Sequence, residues 1–283
     1  MADAVRAILP SHYLHTFIDE GIRPDARAFM ESRTTSLRRG VVSRADGSAS
    51  VDLGKTSVVA GVTLVPFTTT LSERGDGRLS VKVDMAACDP QGPASGRESE
   101  AALALTSLVS KTLMGAGILP LERLIVKQGV AAWEVKLSVF FLNDGGNAAD
   151  AALLAAVAAL ADTSIPPAEL DETGAVVETS GEATAMPLTG TPISLSFAIL
   201  TRKDGVQQLL VDPSAEEEAV CRSSLSVVLV VPAEGGSAEA RCGAAPLMLH
   251  KPGGAPVPQK LVTEAIAVAR KRAARLLTLL EQS

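Results

Sequence analysis

The chain has 283 residues, of which 47% are hydrophobic and 20% charged, a balance that is typical of a folded globular protein and excludes a disordered one. Its formal net charge of −6 argues against a protein that binds nucleic acid alone through a basic surface. The three cysteines have no metal-ligand spacing, which favours a reducing intracellular compartment, and the three histidines are scattered. We therefore expect neither a metal ion nor a cofactor.

The apolar segments give no sign of membrane targeting. The N-terminus lacks a basic leader followed by an apolar core, so we expect no signal peptide. The longest apolar run, residues 151–161, is too short to span a bilayer. The sequence therefore predicts a soluble intracellular protein that makes no membrane contact.

The first predicted elements are a short helix and an extended arm. The helix covers Pro10–Asp19, with Ser11 as its N-cap and Gly21 beyond its end. Pro24 fixes its own φ and moves Arg23 out of the helical region, which predicts an extended arm after the helix.

A β-meander is predicted next. Asp46-Gly47 indicates a tight hairpin turn, because such a turn needs φ > 0 and Gly47 adopts it cheaply. Residues 78–85 alternate polar and apolar side chains and predict a further strand, whereas residues 88–96 are rich in Pro, Gly and Ala and predict a loop. The two short strands after the hairpin signal are marked by Val51, Leu53, Val58 and Val62.

Helical and strand patterns then alternate up to a seam. Helical periodicity covers residues 98–114, and strands are predicted at 121–130 and 132–142. After the turn at 143–146, residues 147–160 form an Ala-rich helix that we expect to be buried on most sides, since small Ala side chains permit close packing.

The stretch from Ile165 to Pro192 is polar, contains an early Pro-Pro pair, and predicts a boundary between two halves. Asp204-Gly205 indicates a second hairpin, so the second half repeats the order of the first, a hairpin followed by strands and later a helix. The elements predicted after the boundary are strands 193–202, 206–211, 224–231 and 247–250 and a closing helix 259–280.

Two segments of the first half carry a family resemblance. Residues 23–27 read Arg-Pro-Asp-Ala-Arg, and residues 47–56 read Gly-Ser-Ala-Ser-Val-Asp-Leu-Gly-Lys-Thr. They resemble the opening of the RNase PH family, in which Arg-Pro-Asp-Gly-Arg precedes Gly-Ser-Ala-x-Val-x-x-Gly-x-Thr. Ala26 replaces the usual Gly, which predicts that this position is met without φ > 0.

The resemblance implies the fold and the division of the chain. It predicts an α+β, RNase PH-like fold built from a duplicated β-β-α unit of the ribosomal protein S5 domain 2-like type. Three parts are expected: an N-terminal helix and arm at residues 1–30, a first half at 31–190 and a C-terminal half at 191–283.

The phosphate site of the active relatives is altered in this chain. In those relatives a Gly-Thr-Arg or Gly-Gly-x-Arg element at a helix start holds the attacking phosphate. The corresponding segment, residues 144–150, keeps the glycines but contains neither Arg nor Lys. We interpret Gly145, Gly146 and Asn147 as a degenerate phosphate site, with a Gly turn and an Asn N-cap, and Asp150 places a negative charge where an anion should lie.

Two further elements of active relatives are reduced. Those enzymes carry two aspartates around one strand, whereas this chain keeps Asp212 as a remnant, and residues 216–218 predict the acidic first turn of a helix. Composition alone does not exclude a metal site, because these glutamates could supply oxygen ligands. The relatives also have two or more arginines before a helix, of which Arg97 is left as a candidate RNA contact or a solvated charge.

The remaining motifs indicate a type of subunit. The Asp-Pro-x-x-Glu-Glu-Glu sequence of residues 212–218 and the His-Lys-Pro-Gly-Gly loop of residues 250–254 resemble non-catalytic ring subunits of the eukaryotic RNA exosome, of the ribosomal RNA-processing protein 43 type. The resemblance implies a ring of RNase PH-like partners, S1/KH-type cap subunits, RNA in the assembled channel and an associated hydrolytic nuclease. It implies a nuclear, nucleolar and cytoplasmic location.

Two alternatives to a scaffold subunit are considered. One is an active phosphate-dependent 3′–5′ exoribonuclease that uses Asp212 and a nearby Glu with a divalent ion. The other is a small-molecule kinase on a similar α+β fold, which the sequence disfavours because it shows no convincing Gly-rich phosphate loop with a suitable Lys or Ser.

Overall fold

Two β-sheets, one in each half of the chain, share one buried helix. The computed structural model describes residues 8–68, 76–88, 99–115, 117–171, 176–179, 181–202, 205–221, 223–233 and 246–282. The helices are α1 (Pro10–Asp19), α2 (Glu100–Gly115), α3 (Ala148–Asp162), α4 (Ala215–Val220) and α5 (Gln259–Gln282). No described helix combines the length and the apolar character that crossing a membrane requires.

The first sheet has six strands in the order β1-β2-β3-β6-β4, with β5 paired to β6. Only β4 and β6 run parallel to each other, and the other pairs are antiparallel. The strands are β1 (Thr35–Arg39), β2 (Gly47–Leu53), β3 (Thr56–Thr68), β4 (Arg78–Asp84), β5 (Ile125–Lys127) and β6 (Ala131–Asn143).

The second sheet has four antiparallel strands in the order β12-β11-β13-β14. These strands are β11 (Gly190–Thr201), β12 (Gln207–Val211), β13 (Ser223–Pro232) and β14 (Pro246–His250). Between the two sheets the chain forms two small pairs, namely β7 (Ser164–Ile165) with β10 (Thr184–Ala185) and β8 (Ala168–Leu170) with β9 (Val176–Glu178). The predicted boundary region is therefore not a bare linker, and the three-part division of the chain stays a prediction.

Helix α3 forms the centre of the core. It contacts β2, β3 and β6 of the first sheet and β11 of the second. Every residue from Asp150 to Leu160 is buried, as the Ala-rich sequence predicts, because small side chains let the helix approach both sheets closely. Helix α5 covers β11 and β13. The two halves thus share one hydrophobic core rather than two separate ones.

Helix α1 packs on the opposite face of the second sheet. Leu14 and Ile18 form a small buried cluster with Ala198, Leu200 and Leu210. The N-terminal helix therefore lies on the C-terminal half. Its predicted bounds are confirmed, but Ser11 is not the N-cap: the helix begins at Pro10 after Leu9, and no side chain caps it.

The first hairpin lies elsewhere than the sequence predicts. Asp46-Gly47 is not a two-residue turn, since Gly47 begins β2 and pairs with Val62 of β3. The tight turn is at Gly54-Lys55, where Gly54 has φ +59° and Leu53 pairs with Thr56. The second predicted hairpin joins β11 to β12, with φ +82° at Gly205, while Asp204 lies outside the described residues.

Gly47 is required by packing and not by its backbone angles. A Cβ at this position would lie 2.2 Å from Thr163 Oγ1 and 2.7 Å from the Ala159 carbonyl oxygen. The start of β2 and the end of α3 therefore approach each other at a distance that only glycine permits.

We expect Gly47→Ala to lower the free energy of unfolding by about 1–3 kcal/mol, because overpacking a filled site displaces backbone atoms. Gly61→Ala in β3 is the matched control, since its added Cβ meets only the Ala45 Cβ at 3.7 Å. The control should leave stability unchanged or raise it by up to about 1 kcal/mol. Urea denaturation measures both variants, and equal losses would contradict the packing argument.

Candidate functional site

The degenerate phosphate site lies where the start of α3 meets the start of α4. Gly146 has φ +94°, and a Cβ on it would lie 2.2 Å from the Ala215 backbone nitrogen. The Ala215 N–H donates to the Gly145 carbonyl oxygen at 3.0 Å. The predicted Gly turn is present, and it lets the first half contact α4 of the second.

Asn147 occupies the N-cap position of α3 but does not cap it. Its backbone has φ +58°, and its side chain makes no capping hydrogen bond. Its Nδ2 donates instead to Asp150 Oδ2 at 2.8 Å and to Asp212 Oδ1 at 2.7 Å. The predicted N-cap position of Asn147 is thus correct, but the expected capping hydrogen bond is not formed. Its amide hydrogens are donated to two buried carboxylates instead.

The backbone N–H of Asn147 is also occupied. It donates to Glu218 Oε1 at 2.9 Å, so a carboxylate of α4 lies at the start of α3. Desolvation raises the pKa of Glu218 to about 7, with repulsion from Asp144 and Asp150 adding to it, although the Asn147 hydrogen bond and Arg33 act in the opposite direction. The place where an anion would meet the helix start is filled by the chain itself.

Asp150 connects α3 to the second sheet. Its carboxylate accepts hydrogen bonds from Ser194 Oγ at 2.7 Å, from the Ser196 N–H at 2.8 Å and from Ser196 Oγ at 2.9 Å. Burial raises its pKa, and the hydrogen bonds from these serines and Asn147 oppose that rise. Asp150 is therefore a structural acceptor as well as a negative charge beside the site.

Asp212 is fully engaged in the structure. It is 1% exposed and sits at the end of β12 with φ +50°. Arg33 Nη2 donates to Oδ1 at 2.7 Å, and Arg33 Nε and N–H donate to Oδ2 at 3.0 Å and 2.8 Å. Burial alone would raise the pKa of Asp212, but the hydrogen bonds and charge of Arg33, with Asn147, hold it below its usual range.

Arg33 also closes the turn before α3. Its guanidinium donates to the carbonyl oxygens of Gly145 and Gly146, each at 3.0 Å. A cation is thus close to the degenerate phosphate site, but it belongs to a different segment and is bound to Asp212. The sequence carried no signal for this contact, because Arg33 precedes Asp212 by 179 residues.

Arg23 of the family motif has a buried partner. It is 0% exposed, and its Nε donates to Glu217 Oε1 at 2.8 Å while Nη2 pairs with Oε2. Its Nη1 donates to the Val211 carbonyl oxygen at 2.7 Å, and Nη2 also donates to the Asp212 carbonyl oxygen at 3.1 Å. This motif therefore holds the N-terminal arm against α4 and the end of β12.

Ala26 contradicts its predicted backbone conformation. It has φ +64°, so the position keeps the left-handed geometry that Gly would adopt more cheaply. The neighbouring Arg27 binds Asp25 at 2.6 Å and reaches the Asp212 carbonyl oxygen at 3.2 Å. These contacts hold the turn in place, which is why alanine tolerates it.

The acidic run forms the predicted helix start. Residues 216–218 lie in the first turn of α4, and Ser214 is its N-cap in a capping box with Glu217. Within the described ranges, no three His, Cys, Asp or Glu residues are grouped closely enough to hold a metal ion. The expectation of no metal or cofactor stays a prediction. Arg97 lies outside the described residues.

An open cleft lies next to this network, between α2 and the second sheet. Its volume is about 540 Å³. Asn147 and Glu218 line it at the start of α3, and His250 lines it from β14. It lies where the degenerate phosphate site would open to solvent.

Comparison with known proteins identifies the family. The model of the 3′ exoribonuclease family matches residues 31–166 with its domain 1 and residues 190–272 with its domain 2. The chain belongs to the 3′ exoribonuclease (RNase PH) family. The predicted α+β, RNase PH-like fold is thereby confirmed.

Two similar curated relatives of this RNase PH family chain come from archaea. The exosome complex component Rrp42 of Methanosarcina acetivorans is 29% identical over 270 residues, covering 95% of this chain and 92% of the relative. The Rrp42 component of Methanopyrus kandleri is 32% identical over 224 residues, covering 79% and 81%.

Two solved structures with the same fold are chains of archaeal exosomes. A chain of the Archaeoglobus fulgidus exosome with RNA bound to the active site has a TM-score of 0.78 and 26% identity, covering 95% of this chain and 97% of that one. A chain of an archaeal exosome core has a TM-score of 0.75 and 26% identity, covering 100% and 99%.

We expect Arg23→Met to lower the free energy of unfolding by about 3–5 kcal/mol, since it leaves Glu217 charged, buried and unpaired. Arg38→Met is the matched control, because Arg38 is 70% exposed and meets Asp52 at 3.6 Å. An exposed pair of this kind contributes about 0–1 kcal/mol. Urea denaturation compares the variants, and a loss at Arg23 no larger than at Arg38 would refute the buried-pair account.

Proposed function

We propose that this chain is a non-catalytic subunit of an RNA exosome ring, which supports 3′–5′ RNA processing and degradation by ring assembly and RNA channelling. Two observations support the exosome role. Relatives named exosome components match this chain over most of their length, and archaeal exosome cores have the same fold. Lack of catalysis is supported chiefly by one observation: Glu218 accepts the Asn147 N–H, one of the four backbone N–H groups at the start of α3 that an anion could contact.

The electrostatics around this N–H also disfavour phosphate. The carboxylates of Asp150 and Glu218 lie at the start of α3, whereas the guanidinium of Arg33 forms an ion pair with Asp212. A phosphate approaching the helix start would meet like charge and no free backbone donor at Asn147. Phosphorolysis depends on holding that anion for attack, so the site favours a framework subunit.

The geometry of Asp212 disfavours a metal-dependent nuclease. Its two carboxylate oxygens accept hydrogen bonds from Arg33 and Asn147, and both are buried. A divalent ion would have to displace the guanidinium, which carries its own positive charge close to the same oxygens. The alternative of an active exoribonuclease that uses Asp212 therefore requires a rearrangement of the joint between the two halves.

An activity assay tests the lack of catalysis. We expect the full chain with its ring partners, incubated with RNA, phosphate and magnesium, to release nucleoside diphosphates at the same rate with or without Asp212→Ala or Glu218→Gln in this chain. Glu218→Gln keeps an acceptor for the Asn147 N–H, so we expect the fold to be retained. Release by the purified chain alone that disappears on Asp212→Ala would establish an active nuclease instead.

The finer identity of the subunit is part of the proposal. The loop at residues 250–254 and the sequence of residues 212–218 favour the ribosomal RNA-processing protein 43 type of the eukaryotic ring, whereas the relatives above are archaeal Rrp42 components. We extend the proposal to S1/KH-type cap subunits, an associated hydrolytic nuclease, and a nuclear, nucleolar and cytoplasmic location.

Purification under native conditions, with identification of the chains that accompany this one, tests the assembly. We expect several different RNase PH-like chains in stoichiometric amounts, together with cap proteins. Recovery of the chain alone or as a homohexamer would contradict the heteromeric ring. Fluorescence microscopy of the tagged chain tests the location.

A further inference from the structure

The cleft between α2 and the second sheet has the size and walls of a small-molecule site. Its volume of about 540 Å³ falls within the range of ligand pockets, about 300–1,000 Å³. Leu105 and Leu108 of α2 line one side, and Phe197 and Met248 line the other. These walls suit the apolar body of an organic ligand.

Hydrogen-bond acceptors without donors lie at one end of the cleft. Glu218 Oε1 accepts the Asn147 N–H, and no described residue donates a hydrogen bond to Glu218 Oε2. Asn147, which lines the same end, is 2% exposed, and its Oδ1 is buried without a partner among the described residues. This end therefore lacks hydrogen-bond donors rather than acceptors.

The charges give that end a negative sign. Asp144, in the loop before α3, and Asp150, on α3, both act on Glu218, and Arg33 is the opposing cation. Arg33 is bound to Asp212, which offsets its charge. Lys111 and His250 also line the cleft. An anion at this end is repelled, whereas a cation with several N–H donors is attracted.

We propose that the cleft binds a small organic amine, with its ammonium group on Glu218 and its apolar body between α2 and the second sheet. This goes beyond the proposed ring function and does not depend on it. The ammonium group supplies three donors, one of which matches the open oxygen of Glu218.

Binding of this kind is coupled to a proton. The pKa of Glu218 is raised, first by desolvation and then by Asp144 and Asp150. An ammonium group favours the ionised carboxylate, so a proton leaves when the amine binds near neutral pH. The affinity should therefore rise as the pH is raised from 6 to 8.

Phenethylamine is the probe, and 2-phenylethanol is its uncharged counterpart of similar shape. Calorimetry on the full chain with its co-purifying partners should give an affinity for the amine at least about tenfold higher than for the alcohol, as one charge-assisted hydrogen bond predicts. Glu218→Gln should remove most of this difference. Glu216→Gln is the matched control, because Glu216 lies in the same helical turn but does not line the cleft.

The pH dependence of the affinity for the amine is a second measurement, and unfolding of a variant would not produce the same dependence. His250 is the other titratable group of the wall besides Lys111, so the profile of the unaltered protein is compared with that of Glu218→Gln, and the difference is assigned to Glu218. Equal binding of amine and alcohol would refute the proposal, as would an amine affinity that Glu218→Gln leaves unchanged. Tighter binding of inorganic phosphate than of phenethylamine would refute the negative end of the cleft and with it the proposal.

Discussion

The amide group of Asn147, held between two buried carboxylates, is the contact on which the joint between the two halves depends. Its Nδ2 donates to Asp150 on α3 and to Asp212 at the end of β12. Buried carboxylates are costly unless they are hydrogen-bonded or paired. Asp150 meets that requirement with serines of β11, and Asp212 meets it with Arg33. The halves cannot separate without exposing or orphaning these charges.

The same network explains why a site suited to an anion serves as structure. The start of a helix presents N–H groups and a partial positive charge, which stabilise any carboxylate placed there. In this chain Glu218 of α4 fills that position. The favourable field that a substrate would use therefore stabilises the contact between α3 and α4. The proposed role as a framework and the proposed loss of the phosphate site would both follow from this one arrangement.

Local patterns predicted most helices and strands correctly, because periodicity and breakers act within a few residues. The Ala-rich helix, the acidic first turn of α4 and the strands of the second half follow from such patterns. The predictions for Gly47 and Ala26 were wrong because contacts with residues farther along the chain decide both positions. Gly47 is required by an approach to Thr163, and Ala26 keeps φ +64° in a turn that Arg27 holds through contacts elsewhere.

The site itself was predictable only in its residue types. The sequence predicted Gly145, Gly146, Asn147 and Asp212 as remnants of a site, which stays a prediction, and the partners that these residues contact lie far away in the chain. Asn147 meets Glu218 across 71 residues, and Asp212 meets Arg33 across 179. A single sequence does not show which distant residues pair. Neither the contact of Glu218 with the start of α3 nor the ion pair of Arg33 with Asp212 could therefore be derived from it.

The buried Arg23–Glu217 pair has a consequence for the order of folding. The two residues are 194 positions apart, and Arg23 is fully buried only when α4 is in place. During synthesis the arm emerges early, but its charge has no partner until most of the chain has been made. We infer that the arm docks last, so its amides gain protection from hydrogen exchange after those of the first sheet.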